Sequence, residues 1–307
     1  MSNEKKFQTF IQKSFASVNG EIISADKAAV SVFDRGFLYG DSIYEVTYSE
    51  NNCLLFFEEH LDRLYHSASL LEIEIFLERE EIVKQALAVL KHSKIERAYI
   101  RIILTRGETE IGLDPTLSFK NNLIILVKPQ PEYPREMYTA GLKLLISSVL
   151  RNHKKSIDPN AKSGNYLNNV MAIKEAKSQG FDDAIMINKD DKVTEGTTFN
   201  IWAIKNSKIY TPPLKSGLLK GITRQKLLKI CEENNKEVIL EEFEQNFLLN
   251  ADEVFITSST KGLMPVKQMN GKTYGESIED WPITNELTKL YRSEIKRQFE
   301  IGKYRYL

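Results

Sequence analysis

Apolar residues recur along the chain with two spacings, one typical of helices and the other typical of strands. Leu61, Leu64 and Ala68 stand three and four positions apart, which predicts a helix over 58–68 with one apolar face. The same spacing predicts further helices over 80–91, 168–177, 221–234 and 283–299. Short runs of β-branched and aromatic residues predict strands over 42–48, 99–105, 123–127, 142–150, 181–188, 200–205, 208–210 and 254–258.

The order of these elements predicts a fold class and a domain boundary. Asn19-Gly20 separates two short apolar runs and is a strong hairpin signal. Helices and strands follow one another without regular βαβ alternation, which favours an α+β fold over a doubly wound parallel sheet. Three prolines from Pro129 to Pro134 predict an extended linker. We expect a small α+β domain over 1–130 that begins with a twelve-residue extension, a linker over 131–137 and a larger domain over 138–307.

The composition argues against several classes of protein. The 42 lysines and arginines balance 42 acidic residues, which disfavours a nucleic-acid binder. The basic run 151–155 is expected to be a solvated loop. Cys53 and Cys231 are too few for a disulfide framework or a metal site, and we expect both to be small buried residues. No apolar run approaches the roughly 20 residues of a membrane span, so we expect a soluble, cytoplasmic protein.

Three segments carry residues that together indicate one cofactor. Lys162 lies among small residues directly before a predicted helix, where an amine could form a Schiff base. Gly221, Ile222 and Thr223 open another helix, and free amides at such a start bind anions. Glu195 is a single carboxylate in a run with little other charge. Each is an ordinary surface or capping residue when taken alone. Together they supply the lysine, the phosphate seat and the carboxylate that pyridoxal phosphate requires.

A longer pattern in the chain resembles the class IV pyridoxal-phosphate-dependent aminotransferases. Its central parts are Glu195-x-Thr197-x-x-Asn200-Ile201, Ile209-x-Thr211 and Leu219-x-Gly221-Ile222-x-Arg224. The similarity extends from Asp34-Arg-Gly-Phe37 to Ala251-Asp-Glu-Val-Phe255 and leaves out the first dozen residues. The resemblance implies the two-domain fold of D-amino acid aminotransferases, with the cofactor between the domains. It also implies an active site that is completed in a homodimer or a higher homo-oligomer.

The resemblance assigns roles to the matching residues. Lys162 would hold the cofactor through its amine and carry the proton during transamination. Glu195 would keep the pyridine nitrogen protonated, and Tyr166 would hydrogen-bond the phenolic oxygen of the ring. The phosphate would be bound by Arg63, Ile222, Thr223, Ser259 and Thr260, and the last two would also complete the seat of the substrate carboxylate.

The residues expected to face the substrate give a mixed signal. Tyr99-Ile-Arg101 is similar to the Tyr-x-Arg of branched-chain enzymes, where the arginine meets the distal carboxylate of glutamate. Ile111-Gly-Leu113 stands where D-amino acid enzymes carry an Arg-x-His trap. In contrast, Tyr44-Glu-Val-Thr-Tyr48 is more like the strand of D-amino acid or (R)-amine enzymes. For Arg101 itself, the alternative is a surface ion pair with an acid such as Glu96.

We therefore expect an aminotransferase that moves the amino group of a branched-chain L-amino acid to 2-oxoglutarate. Its substrates would be amino acids and 2-oxo acids, bound by Tyr44, Tyr99, Arg101 and Thr260. The alternatives are a D-amino acid or (R)-amine transaminase, an aminodeoxychorismate lyase, and a non-catalytic binding protein that has kept the fold.

Overall fold

The computed structural model describes residues 2–130 and 133–306, and these residues form two compact units. Unit 1 takes the described residues of Met1–Pro131, Ala161–Asn165 and Arg297–Leu307. Unit 2 takes those of Glu132–Asn160 and Tyr166–Lys296. The predicted linker falls partly outside the described residues, since Pro131 and Glu132 are not among them.

Unit 1 is built on a six-stranded antiparallel sheet with the order β2-β1-β6-β5-β3-β4. The predicted hairpin joins β1 to β2, and Asn19 and Gly20 both have the positive φ that a tight type I′ turn requires, 52° and 90°. The strands are β1 (Phe15–Val18), β2 (Glu21–Ser24), β3 (Ser42–Glu50), β4 (Cys53–Leu54), β5 (Ala98–Thr105) and β6 (Asn122–Pro129). The helices are α1 (Asn3–Gln12), α2 (Arg35–Tyr39), α3 (Phe57–Leu70) and α4 (Arg79–Ser93).

The two faces of this sheet differ in chemistry because successive residues of a strand point to opposite sides. One face carries Ile43, Ile100 and Ile125, which pack in an apolar core with residues of α3 and α4. Residues that pair directly across strands share a face. The registers Val46↔Arg101, Tyr48↔Tyr99 and Tyr99↔Lys128 therefore define the opposite face. We call it the tyrosine face, and it includes Tyr44, Val46, Tyr48, Tyr99, Arg101 and Lys128.

Two segments far along the chain belong to unit 1. Ser163 forms an isolated bridge with Ile43 at an edge of β3 that β4 leaves unpaired. Near the other end of the chain, Arg305 bridges to Cys53. The units therefore differ from the predicted boundaries, which placed all of 138–307 in one domain. The difference arises because the edges of β3 and β4 form β-bridges with residues far along the chain. The division into two domains at 131–137 stays a prediction.

Unit 2 contains a nine-stranded mixed sheet with the order β12-β11-β10-β13-β14-β7-β8-β9, and β15 pairs with β14. The strands are β7 (Leu142–Ile146), β8 (Asp183–Ile187), β9 (Val193–Gly196), β10 (Asn200–Lys205), β11 (Lys208–Thr211), β12 (Val238–Leu240), β13 (Glu253–Ser258), β14 (Gly262–Met269) and β15 (Lys272–Thr273). The helices are α5 (Arg135–Thr139), α6 (Leu167–Ser178), α7 (Ile222–Glu233), α8 (Gln245–Leu249) and α9 (Pro282–Ile301), of which α9 continues into unit 1 from Arg297. This mixture of helices and sheets confirms the α+β prediction.

The structure bears on three expectations from the sequence, which concern membrane helices, metal sites and the two cysteines. Within residues 2–130 and 133–306, no helix combines the length and the apolarity that crossing a membrane requires. The same residues hold no cluster of three or more side chains that could bind a metal ion. Cys53 and Cys231 are buried as predicted, and burial raises the pKa of the Cys231 thiol to about 11. The cytoplasmic location stays a prediction.

Candidate active site

Lys162 is fixed at the edge of β3 in unit 1 by both its backbone and its side chain. Its carbonyl accepts a hydrogen bond from the Tyr44 N–H at 2.9 Å, and its own N–H donates to Ser67 Oγ at 3.1 Å. Its Nζ donates to the Tyr44 hydroxyl at 3.3 Å and lies 4.4 Å from the centroid of that ring. The backbone contacts to β3 and α3 therefore give the amine a defined place beside Tyr44.

Arg101 contacts the same tyrosine. Its Cζ lies 3.9 Å from the centroid of the Tyr44 ring, which is close for a cation–π contact. Its Nε is buried and has no hydrogen-bond partner among the described residues. The alternative pairing of Arg101 with Glu96 is not found in that part of the chain. Unit 1 thus brings the Lys162 amine and the Arg101 guanidinium to one aromatic ring, while Tyr99 lies on the same face.

Arg63 takes part in a buried ion pair in unit 1. Its Nε and Nη2 donate to the two oxygens of Glu45, each at 2.7 Å. The His60 Nδ1 lies 2.7 Å from the same carboxylate. Burial alone would raise the pKa of Glu45, but attraction to Arg63 and hydrogen bonds from Arg63 and His60 outweigh it and lower the pKa to about 2.

His60 makes a hydrogen bond in this cluster rather than an ion pair. Burial lowers the pKa of His60 although Glu45 opposes the shift, so the ring is neutral near pH 7. Arg63 is therefore the counter-ion of Glu45, and His60 donates a neutral N–H. Arg63 is one of the predicted site residues, whereas Glu45 and His60 are not. A signal was available for His60, which lies three positions before Arg63 and hence near it on a helix.

Glu195 is a buried carboxylate of β9 in unit 2 with several donors around it. Its Oε1 accepts hydrogen bonds from Arg151 at 3.0 Å. Its Oε2 accepts from the Leu219 N–H at 3.1 Å and from Asn200 Nδ2 at 3.4 Å. These donors compensate the buried negative charge. The prediction that the run 151–155 is solvated is wrong for Arg151, whose side chain is only 11% exposed because it reaches this carboxylate.

The start of α7 lies next to this carboxylate in unit 2. Gly221 is the N-cap, with no side-chain cap, and the Ile222 and Thr223 amides have no hydrogen-bond partner within the described residues. A Cβ at Gly221 would stand 2.0 Å from Asn200 Oδ1, so any other residue there would displace the Asn200 side chain. Asn200 Nδ2 also donates to the Leu219 carbonyl at 3.0 Å. Asn200 therefore links the Glu195 carboxylate to the segment that leads into the helix.

Arg224 of α7 is a buried cation whose pKa is changed by its surroundings. Arg224 is fully buried, and its Nη2 donates to the Pro212 carbonyl at 2.9 Å. Burial lowers the pKa of Arg224 to about 10, although attraction to Glu195 opposes the shift. This guanidinium therefore adds positive charge close to Glu195 behind the helix start.

The remaining predicted residues of unit 2 lie at the ends of elements. Tyr166 is the N-cap residue of α6 and is half-buried. Ser259 and Thr260 form the turn between β13 and β14, and both are half-buried. The Thr260 hydroxyl lies 3.5 Å from the Tyr133 hydroxyl. Of the predicted residues, unit 1 contains Tyr44, Arg63, Tyr99, Arg101 and Lys162, and unit 2 contains Tyr166, Glu195, Ile222, Thr223, Ser259 and Thr260.

Comparison with known proteins identifies the family. Residues 42–269 match the amino-transferase class IV family. The chain is 35% identical over 279 residues to a putative branched-chain-amino-acid aminotransferase of Methanocaldococcus jannaschii, which covers 91% of this chain and 94% of that protein. It is 31% identical over 281 residues to the D-alanine aminotransferase of Bacillus licheniformis. That match covers 90% of this chain and 95% of that protein.

A solved structure is similar over nearly the whole chain. It is the branched-chain aminotransferase of the thermophilic archaeon Thermoproteus uzoniensis with norvaline, which has a TM-score of 0.86 and 26% sequence identity. The match covers 94% of this chain and 96% of that one. The motifs, the fold and the relatives agree, and the chain belongs to the class IV aminotransferases.

Proposed function

We propose that this protein uses pyridoxal 5'-phosphate to transfer the amino group of a branched-chain L-amino acid to 2-oxoglutarate. The observation that carries the proposal is the position of the Lys162 amine, which donates a hydrogen bond to the Tyr44 hydroxyl. The Arg101 guanidinium contacts the ring of the same tyrosine. The names of the relatives support the substrate class, because branched-chain enzymes are prominent among them. The D-alanine aminotransferase, which is 31% identical to this chain, supports a second candidate.

The residues present fit the cofactor in their chemistry. The Ile222 and Thr223 amides are donors at a helix N-terminus, as a phosphate requires. Glu195 is a buried carboxylate, as a protonated pyridine nitrogen requires. Arg63, whose Nε and Nη2 are bound to Glu45, would add positive charge for the phosphate. Further groups are the hydroxyls of Ser259 and Thr260 for the phosphate and the phenol of Tyr166 for the oxygen of the ring.

The bound cofactor supplies a carbonyl that condenses with amines and a conjugated ring that accepts electrons from the substrate. The residues of the chain supply the position and the protons. Lys162 Nζ would take the proton from the substrate Cα and would later return it. The Tyr44 hydroxyl accepts a hydrogen bond from this amine and orients it. Glu195 would supply the negative charge that keeps the pyridine nitrogen of the bound cofactor protonated.

The tyrosine face supplies the substrate pocket in this proposal. The rings of Tyr44 and Tyr99 provide apolar walls for a branched side chain. Arg101 stands between their strand positions and offers a guanidinium to the distal carboxylate of glutamate or 2-oxoglutarate. Thr260 would meet the α-carboxylate. One pocket would therefore accept an apolar donor and a dicarboxylate acceptor in alternate half-reactions.

A second copy of the chain would cover an apolar surface of unit 1. The segment 32–37 and the loop 111–119 are tied together, because the Arg35 guanidinium donates to the Gly112, Leu113 and Asp114 carbonyls. Contiguous apolar surface of this kind marks interaction sites. We therefore propose a homodimer or a higher homo-oligomer, which light scattering would measure. The exposed apolar residues are Val32, Phe33, Phe37, Ile111, Leu113, Leu117 and Phe119.

The proposed donor can be tested in half-reactions of the purified holoenzyme followed by cofactor absorbance. L-Leucine should convert the cofactor to its amino form at least about tenfold faster than D-alanine or (R)-1-phenylethylamine. Faster reaction with D-alanine or the amine would move the assignment to a D-amino acid or (R)-amine transaminase. No reaction with any amine would favour a non-catalytic role.

Replacing Arg101 with alanine should weaken the reactions of glutamate and 2-oxoglutarate much more than the reaction of leucine. The difference should be about 1.5–3 kcal/mol in transition-state free energy, as for a hydrogen bond to a charged group. The measurement is kcat/KM for both half-reactions. Arg292→Ala is the matched control, because Arg292 is an exposed arginine of α9 in unit 2. Equal losses for leucine and glutamate would contradict the role of Arg101.

A further inference from the structure

We infer that Lys128 is a second cationic group for the distal carboxylate of the amino-group acceptor, and that α1 holds it in place. The inference rests on the proposed function, because it names a further specificity-determining residue in the same pocket. Neither Lys128 nor α1 belongs to the residues that the family motifs single out.

The register of the sheet places Lys128 on the tyrosine face. Lys128 of β6 pairs directly with Tyr99 of β5, and Arg101 is two positions further along that strand. All three therefore point to the same side of the sheet. The Lys128 Nζ lies 4.3 Å from the centroid of the Tyr99 ring. Two cations thus neighbour the tyrosine proposed as a pocket wall: Lys128 on the adjacent strand and Arg101 further along the same strand.

Lys128 is half-buried, and none of the described residues pairs a negative charge with its ammonium. No hydrogen bond or ion pair of its ammonium is found within residues 2–130 and 133–306, where its only charge-related contacts are with aromatic rings. Burial lowers the pKa of Lys128, because the charged form loses part of its hydration. A partly desolvated cation of this kind gains most when an anion binds beside it.

Helix α1 covers the other side of this lysine. The Phe10 ring centroid lies 5.7 Å from Lys128 Nζ, so the ammonium contacts the Phe10 ring as well as the Tyr99 ring. The helix precedes the residues that match the family, which begin at 42. Lysine otherwise has a long and mobile side chain. The contact with α1 therefore restrains an ammonium that would otherwise turn into solvent.

Only a dicarboxylate can use this arrangement. A branched-chain donor brings an apolar side chain to the Tyr99 ring and gains nothing from a second cation. Glutamate or 2-oxoglutarate brings a carboxylate, which Arg101 can bind with its planar fork while Lys128 adds a point charge. The pair of cations would thus favour the acceptor without changing recognition of the donor.

The test compares two unreactive ligands that share one carboxylate and differ at the other end. Glutarate carries a second carboxylate, whereas 4-methylvalerate carries a branched apolar end. Their dissociation constants would be measured on the holoenzyme by titration of the cofactor absorbance. Lys128→Met should weaken glutarate about tenfold or more and change 4-methylvalerate less than about twofold. Phe10→Ala should weaken glutarate in the same direction by a smaller factor.

Three controls make the outcome decisive. Lys91→Met removes an exposed lysine of α4 and should change neither constant. Lys128→Arg keeps the charge and should retain most of the affinity for glutarate. The wild-type reaction with leucine tests the proposed function separately, since it does not depend on Lys128. Unchanged binding of glutarate to Lys128→Met, or equal weakening of both ligands, would overturn the inference.

Discussion

Replacing Lys162 with alanine should remove nearly all transamination and the absorbance of the lysine-bound cofactor. The amine is both the point of attachment and the carrier of the substrate proton in the proposed function. General acid–base catalysis alone contributes about 10²–10⁴-fold, so the combined loss should be on the order of 10⁴-fold or more. The relevant measurements are the absorbance spectrum of the purified variant and its rate in the leucine half-reaction.

The fold of the variant should survive, because the backbone of residue 162 makes the contacts that fix the segment. Its carbonyl accepts from Tyr44 and its N–H donates to Ser67, and alanine keeps both groups. Lys155→Ala is the matched control, since Lys155 is exposed in the loop before the segment. Borohydride reduction followed by peptide mapping identifies the modified lysine directly. A cofactor found on any other lysine would show that the assignment of Lys162 is wrong.

Local chemistry explains why most elements could be predicted from the sequence. The five long predicted helices and the predicted strands depend on spacings of apolar residues that act within one element, whereas β14 is not among the predicted strands. The Asn19-Gly20 hairpin depends on two residues that accept positive φ. The strand predicted over 142–150 ends earlier, at Ile146. The paired register of this strand with β8 ends at Ile146. Beyond it, the Ser147 N–H donates a hydrogen bond to the Ile185 carbonyl.

Short or polar elements were missed because their stability comes from distant partners. Helix α1 has an apolar face made of only a few residues, two of which, Phe7 and Phe10, are largely exposed. Strand β9 consists of Val193–Gly196 and contains Glu195, which lies in the gap between the strands predicted over 181–188 and 200–205. A carboxylate disfavours a strand by propensity. Here Arg151, more than forty positions away, supplies the compensation.

Dependence on distant partners also explains which residues of the site could be predicted from the sequence. Lys162, Glu195 and Gly221 lie in motifs that are visible in the chain. The Arg63–Glu45 pair depends on α3 packing against β3, and residues eighteen apart carry no local signal for such a contact. The motifs of the chain nevertheless predicted its family correctly, as the match over 42–269 confirms.

Replacing Glu195 with glutamine should slow removal of the substrate Cα proton by about 10²-fold or more while the cofactor stays bound. The carboxylate keeps the pyridine nitrogen protonated, and a protonated ring accepts the electrons left by that proton. Loss of one electrostatic group in an active site commonly costs 10²–10³-fold, and each tenfold loss corresponds to about 1.4 kcal/mol. The rate would be measured by stopped-flow absorbance with leucine, using α-deuterated leucine to identify the slowed step.

The local contacts of Glu195 determine how this result must be controlled. Glutamine keeps one acceptor oxygen but turns the other atom into a donor. It therefore cannot accept from both Arg151 and the Leu219 N–H, and some stability should be lost. Thermal unfolding and cofactor content separate that cost from the catalytic effect, and Glu232→Gln changes an exposed acid of α7 in the same way. If Glu195→Gln binds the cofactor and reacts at the wild-type rate, the carboxylate serves only to pair Arg151 and to hold the segment before α7.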